Sequence, residues 1–167
     1  MITPRSWATD TEEVRRIGLS AAGLLVSVVL GLSLVTNGRA VSPRDHTCSA
    51  TDRQFIETAS TNMASIGLWA DQYLHGDAKA SDVIGETKEA TARVQATSPT
   101  DPSLAQTRSL MSGMFVEYGK AIRAQSRHRN AGPHMYRAYG LANFAHDVLE
   151  GARPALVKRG CDVAPLL

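Results

Sequence analysis

The feature that most constrains this chain is a stretch of twenty residues without a single charge, residues 17–36. As a helix with a rise of 1.5 Å per residue, it would be roughly 30 Å long, which matches the hydrocarbon core of a bilayer. The stretch is apolar around its whole circumference, unlike a helix that packs one face onto a soluble domain. The sequence therefore predicts a single transmembrane anchor.

Basic residues on either side of this stretch indicate its orientation. Arg15 and Arg16 directly precede it, whereas Arg39 and Arg44 follow it more loosely. Because basic residues next to a membrane helix favour the cytoplasmic side, we expect residues 1–16 in the cytoplasm and the rest of the chain outside. Membrane lipids are then expected partners. The residues predicted to contact lipid head groups are Arg15, Arg16, Arg39, Arg44, Lys158 and Arg159.

A cleaved signal peptide is the alternative interpretation of the same stretch. Cleavage of a signal peptide requires small residues at the third and the first position before the cut, and Gly38 and Ala40 meet this requirement for a cut after Ala40. Such a cut would release a secreted protein. An apolar run of twenty residues exceeds the roughly 7–15 residues of an ordinary signal core, which favours a retained anchor. Both interpretations place the remainder of the chain outside the cytoplasm.

Beyond Ser42 and Pro43 the chain becomes rich in alanine and in mixed charges, and its apolar residues recur every three or four positions. This spacing is typical of amphipathic helices, and no stretch shows the sustained alternation of a half-buried strand. The predicted elements are four helices, at about 51–75, 78–97, 101–128 and 132–151, and a short last turn at 154–160.

Start and stop signals support these boundaries. Thr51 with Gln54 has the spacing of a capping box, and Gly76 suits the residue after a helix. Asp101 followed by Pro102 combines a capping side chain with a residue suited to the first helical position. Residues predicted to face the core are Phe55, Ala59, Met63, Ile66, Ala70, Tyr73, Val83, Ile84, Ala90, Val94, Leu104, Met111, Met114, Phe115, Tyr118 and Ile122. The large apolar residues of the fourth helix are Met135, Tyr136, Tyr139, Phe144 and Leu149.

The positions of the two cysteines fit an antiparallel bundle. Four helices joined by short loops most simply run up, down, up and down, so the first helix starts where the fourth ends. Cys48 precedes the first helix and Cys161 follows the last turn, so we expect a disulfide, which an exported domain permits. The predicted protein is all-α: a cytoplasmic tail (1–16), a transmembrane anchor (17–36), a linker (37–47) and an exported four-helix bundle (48–167) closed by one disulfide.

No motif of catalysis or metal binding stands out. The sequence lacks HExxH, CxxC, paired Glu-x-x-His, Gly-x-Ser-x-Gly and a phosphate loop, so neither an enzyme nor a cofactor is expected. Asp71 and His75 could share a metal, but a surface pair at a helix end explains them better. Four methionines suggest copper(I) chemistry, yet they occupy inward helical positions that suit core packing.

One segment of the chain has an unusual concentration of basic residues. No acidic residue lies between Glu117 and Asp147, while basic residues accumulate there. In the plain interpretation, these cations near the end of a helix favour its dipole. In the functional interpretation, they form a docking surface for an acidic partner or an anionic envelope polymer. The candidate partner-binding residues are Lys120, Arg123, Arg127, Arg129 and Arg137. Nucleic acid is not expected, because the whole chain carries a net charge of only +2 and the domain lies outside the cell membrane.

These observations favour a non-enzymatic, membrane-anchored accessory or assembly subunit whose exported bundle binds another membrane or envelope protein. The alternative is an extracytoplasmic bundle that binds a small ligand, a metal or haem as a carrier or sensor. The first hypothesis rests on the anchor, the compact helical module and the lack of catalytic motifs.

We expect the mature protein to stay in the pellet when membranes are washed with carbonate, because a twenty-residue apolar helix is long enough to span the bilayer. External protease should reach only the residues beyond position 40. Recovery of a soluble mature form that begins at Val41 would show instead that the apolar stretch is a cleaved signal peptide.

Overall fold

The computed structural model describes residues 48–167, and every regular element in this part of the chain is helical. The elements are α1 (Ala50–His75), α2 (Ala80–Ala96), α3 (Pro102–Ser126), α4 (Gly132–Lys158) and a 3₁₀ turn (Ala164–Leu166). The prediction of a bundle of four helices is confirmed.

The predicted anchor and its surroundings lie outside the described residues. This holds for the tail, anchor and linker (1–47), the cleavage position after Ala40 and the candidate lipid contacts Arg15, Arg16, Arg39 and Arg44. Within residues 48–167, no helix has the length and hydropathy that a membrane span requires.

Local signals fix most helix ends. Gly76, with a φ of 85°, ends α1, and Asp101 caps α3 by accepting hydrogen bonds from two backbone N–H groups of its first turn. At the start of α1 the prediction is wrong, because Ser49 is the capping residue and not Thr51 with Gln54. The Thr51 hydroxyl instead lies 2.9 Å from the Ser49 hydroxyl, inside the first turn.

The fourth helix continues through Pro154 to Lys158, whereas the sequence predicted a break near residue 151. Proline has no N–H to donate to the carbonyl of Glu150, so one helical hydrogen bond is lost. Leu156, just beyond the proline, is fully buried. Packing of this side chain retains the last turn despite the missing bond.

One face of each of the first three helices forms most of the core, as predicted. Phe55, Val83, Leu104 and Phe115 are at most 1 % exposed, and the other predicted inward residues are buried or pack against the core. The fourth helix contributes mainly small side chains and two leucines, namely Ala138, Ala145, Leu149 and Leu156.

The aromatic residues of α4 lie on the outside. Tyr136 is 80 % exposed, Phe144 is 52 % exposed and Tyr139 is 43 % exposed. Hydropathy alone would place them in the core. Instead α4 turns its small residues and two leucines toward the other helices, and its aromatic side chains form part of the protein surface.

The helices pack in chain order, α1 on α2, α2 on α3 and α3 on α4, whereas α1 and α4 share no comparable contact. The 3₁₀ turn at the C-terminal end lies against α1 and buries Leu166. The bundle therefore has an open side between its first and last helices.

A disulfide joins Cys48 to Cys161, which confirms the predicted pairing. Their Cα atoms are 5.1 Å apart although the two cysteines are 113 positions apart in the chain. Both sulfur atoms are buried with the core residues. The start of α1 and the segment after α4 therefore lie at the same end of the bundle, as an up-and-down order of helices requires.

Buried carboxylates hold the same end together. Asp52 accepts hydrogen bonds from the N–H of Thr100 at 2.7 Å, from the N–H of Asp101 at 3.0 Å and from the Thr100 hydroxyl at 3.0 Å. Asp101 in turn forms an ion pair with Arg159 at the end of α4. Burial alone would raise the pKa of both carboxyl groups, but the hydrogen bonds they accept outweigh it, so the pKa of each lies below its usual value. The disulfide with Asp52, Asp101 and Arg159 is called the base clasp below.

Loss of the disulfide should destabilise the domain. We expect Cys161→Ser to reduce the free energy of unfolding by about 2–5 kcal/mol, because the bond closes a long loop. The double variant Cys48→Ser, Cys161→Ser should behave like the single variant, since both lack the same bond. Non-reducing peptide mapping checks the linkage, and an unchanged melting temperature in Cys161→Ser would contradict the prediction.

Stability should also depend on the ionised Asp52. A carboxyl group whose pKa is lower in the folded than in the unfolded state stabilises the fold at pH values above its unfolded-state pKa. This contribution to stability is lost as the pH falls through the folded-state pKa. The free energy of unfolding should therefore fall as the pH drops below the usual aspartate value of 3.8.

The Asp52→Ala variant should lose about 1–3 kcal/mol at pH 7, because it leaves buried N–H groups without an acceptor. Its stability should depend less on pH in the acid range than that of the wild type. Urea titrations at several pH values measure both effects. Asp147→Ala, at a carboxylate that is 77 % exposed, is the matched control and should change stability little.

Candidate interaction surfaces

The arginines singled out in the sequence lie around the α3–α4 connection, at the end of the bundle opposite the base clasp. Arg127, Arg129 and Arg137 are exposed, and Arg123 is partly buried. Within residues 48–167, none of these four arginines forms an ion pair with an acidic side chain. Their charge is therefore not neutralised by the described part of the chain.

Lys120 differs from the four arginines because it has a partner. Its Nζ atom lies 2.6 Å from one carboxylate oxygen of Glu117, and the other oxygen lies 2.8 Å from Nδ1 of His134. The hydrogen bonds from Lys120 and His134 hold the pKa of Glu117 below its usual value. Glu117 thus links α3 to α4 and balances Lys120 rather than any arginine.

Backbone hydrogen bonds shape the connection itself. His128 has a φ of 54°, an unusual conformation for a residue other than glycine. The N–H of Arg129 then donates to the carbonyl of Ala124 at 2.9 Å, which closes the end of α3. The Asn130 side chain accepts a hydrogen bond from the N–H of Gly132, the first residue of α4, at 2.9 Å. Arg127 and Arg129 are therefore presented on a structured turn.

An exposed aromatic residue accompanies these charges. Tyr136, in the first turns of α4, is 80 % exposed and directly precedes Arg137. Tyrosine and arginine are enriched in protein interfaces. Tyrosine offers a rigid apolar ring, and arginine offers a planar guanidinium group with several hydrogen-bond donors. We call the set Arg123, Arg127, Arg129, Arg137 and Tyr136 the distal surface.

The open side of the bundle contains an apolar cavity of about 180 Å³ between α1 and α4. Its lining includes Met111, Met114 and Tyr118 on α3, Ala142 and Leu149 on α4, and Leu166 of the 3₁₀ turn. The small residues Ala70 on α1 and Ala138 on α4 also line it, so little side-chain volume fills the gap between these two helices.

Tyr118 is the buried polar residue of this cavity. The residue is 3 % exposed. Its hydroxyl forms no hydrogen bond with residues 48–167, but it is accessible from the cavity, because no fully buried side-chain oxygen there lacks a partner. Burial, with a smaller contribution from the nearby Tyr73, raises the pKa of Tyr118 to about 12. The hydroxyl is therefore neutral at physiological pH and keeps its proton for donation.

Candidate metal ligands come together at one place in the described chain. Cys48, Cys161 and Asp52 lie within 4.8 Å of one another. The two sulfur atoms are bonded to each other and are not thiolates, which are the form that binds metals. Met111 and Met114, considered above for copper(I), line the apolar cavity.

The candidate lipid contacts among the described residues both lie at the base clasp. Lys158 is exposed at the end of α4, whereas Arg159 pairs with Asp101. Contact of either residue with lipid stays a prediction. The sequence did not indicate that Arg159 pairs with Asp101. The two residues are 58 positions apart in the chain, and only the packing of the helices brings them together.

The cavity was not predicted from the sequence. Met111, Met114 and Tyr118 were expected to be ordinary core residues, and they are buried as expected. The small residues Ala138, Ala142 and Ala145, spaced three and four apart on α4, were the available signal of a thinly filled helix face.

Known proteins offer no guide to these surfaces. Comparison of the chain with protein-family models, with curated proteins and with solved structures finds no match. The function is therefore inferred from the residues of the chain itself.

Proposed function

We propose that this protein is a non-enzymatic accessory subunit, anchored in the membrane by residues 17–36, whose exported bundle binds an acidic region of another membrane or envelope protein. The observation that supports this function is the distal surface. There, four arginines without an acidic partner in residues 48–167 accompany a tyrosine that is 80 % exposed.

The chemistry of the distal surface favours a protein partner. Arginine binds carboxylates through two parallel hydrogen bonds, so unpaired arginines select an acidic surface. Tyr136 adds an apolar ring whose burial stabilises a protein interface but gains little from a purely hydrophilic polymer. The charge is local, because the net charge of the whole chain is only +2.

The height of the bundle fits the same role. The α3 helix has 25 residues, which corresponds to roughly 37 Å at 1.5 Å per residue. The predicted anchor precedes Cys48 in the chain, so the base clasp is the end next to the membrane in this proposal. The distal surface then stands clear of the lipid head groups, where the extracytoplasmic part of a neighbouring protein can reach it.

A second candidate function is the binding of a small ligand. The apolar cavity with its buried Tyr118 favours it, and no residue of the distal surface lines that cavity. The two functions are therefore separable by mutation.

Charge reversal tests the docking proposal. We expect the variant Arg123→Glu, Arg127→Glu, Arg129→Glu to bind its partner about tenfold more weakly at low salt, chiefly through slower association, because exposed charges steer encounter. The difference should shrink at high salt, where charges are screened. Capture from native membranes in mild detergent, with mass spectrometry of the bound proteins and a salt series, makes the measurement.

The matched control is Arg153→Glu, at an exposed arginine near the C-terminal end of α4. It is compared with the single variant Arg127→Glu, which makes the same change in net charge on the distal surface. This control should retain its partner. Circular dichroism verifies that both variants are folded. The same bound proteins with the same salt dependence in the folded distal variant would contradict the proposal.

A further inference from the structure

We propose that the cavity between α1 and α4 binds a slender, uncharged aliphatic molecule, and that the Tyr118 hydroxyl donates a hydrogen bond to an acceptor oxygen of that molecule. Ketones, esters and alcohols with a medium-length alkyl chain form this chemical class. The inference is independent of the distal surface and of any protein partner.

The lining of the cavity selects an uncharged molecule. No aspartate, glutamate, lysine or arginine is among the lining residues, and the polar lining residues Asn143 and His146 are themselves exposed to solvent. An ionised group would lose its hydration here without gaining a charged partner, which is strongly unfavourable. Met111 and Met114 contribute unbranched, polarisable thioethers, which adapt to an alkyl chain more readily than branched side chains do.

Tyr118 selects an acceptor on the ligand. Its side chain is buried at the cavity, and its hydroxyl makes no hydrogen bond with residues 48–167. No fully buried side-chain oxygen or nitrogen of residues 48–167 lacks a partner, so the unbonded Tyr118 hydroxyl is accessible from the cavity that it lines. A ligand oxygen in the cavity can therefore accept its proton. The raised pKa of about 12 keeps the hydroxyl in its donor form.

The shape of the cavity selects a narrow molecule. On α4 the lining extends from Ala138 to Leu149, a distance of about 16 Å along the helix. The cavity volume is only about 180 Å³, and apolar cavities of about 150 Å³ in other proteins take up small hydrocarbons. A partner helix, at least about 10 Å across with its side chains, would fill several times this volume over the same length. Leu166 lines the cavity at the end near the base clasp.

The test uses the full chain in lipid nanodiscs and 2-octanone labelled with ¹³C at the carbonyl. We expect saturable binding beyond the partitioning seen in empty nanodiscs, with a change in the carbonyl resonance. Octanoate, with the same chain length and a negative charge, should bind more weakly. No saturable binding to the protein, or tighter binding of octanoate, would overturn the proposal.

Variants identify the site and the hydrogen bond. Tyr118→Phe should weaken 2-octanone binding about threefold to tenfold, the effect of one neutral hydrogen bond. Ala142→Phe should abolish saturable binding by filling the cavity. Tyr136→Phe, at the exposed tyrosine of the distal surface, is the matched control and should bind as the wild type does.

Stability without ligand provides a separate readout. Because the hydroxyl has no partner in residues 48–167, Tyr118→Phe should melt at the same temperature as the ligand-free wild type or higher. Equal affinity of Tyr118→Phe and wild type for 2-octanone, or a lower melting temperature of the ligand-free variant, would show that the hydroxyl does not serve the ligand.

Discussion

The disulfide between Cys48 and Cys161 is the constraint on which the rest of the domain depends. It joins the residue before α1 to the segment after α4, so both must lie at one end of the bundle. Asp52 and Asp101 bring the α2–α3 connection to the same end, and Arg159 adds the end of α4. These contacts join segments that are distant in sequence, so loss of one leaves buried polar groups of the others without partners.

The base clasp also explains where the bundle is open. It holds α1 and α4 together at one end, where the 3₁₀ turn lies against α1 and buries Leu166. Farther along, the small residues Ala70 and Ala138 face the gap and leave it thinly filled. An apolar cavity beside well-packed α2 and α3 is the consequence. The side chains that line such a cavity lack van der Waals contacts on one side, and a bound ligand can supply them.

The two candidate surfaces make opposite chemical demands. The distal surface is exposed and cationic, and its interactions weaken with salt. The cavity is apolar and uncharged, so binding there should be insensitive to salt. Glu117 pairs with Lys120 and His134, so it does not neutralise the charge of the arginines on the distal surface. A partner protein and a small ligand would therefore be recognised by different physical interactions.

The sequence by itself determined the four helices, the caps at Gly76 and Asp101, the core of the first three helices and the pairing of the cysteines. These follow from local spacing, from backbone preferences of single residues and from the even number of helices. The outward position of Tyr136 and the continuation of α4 through Pro154 were decided by tertiary structure. So were the cavity and the unpaired hydroxyl of Tyr118. The physical reason is that each depends on which helices contact one another, and local patterns in the chain do not contain that information.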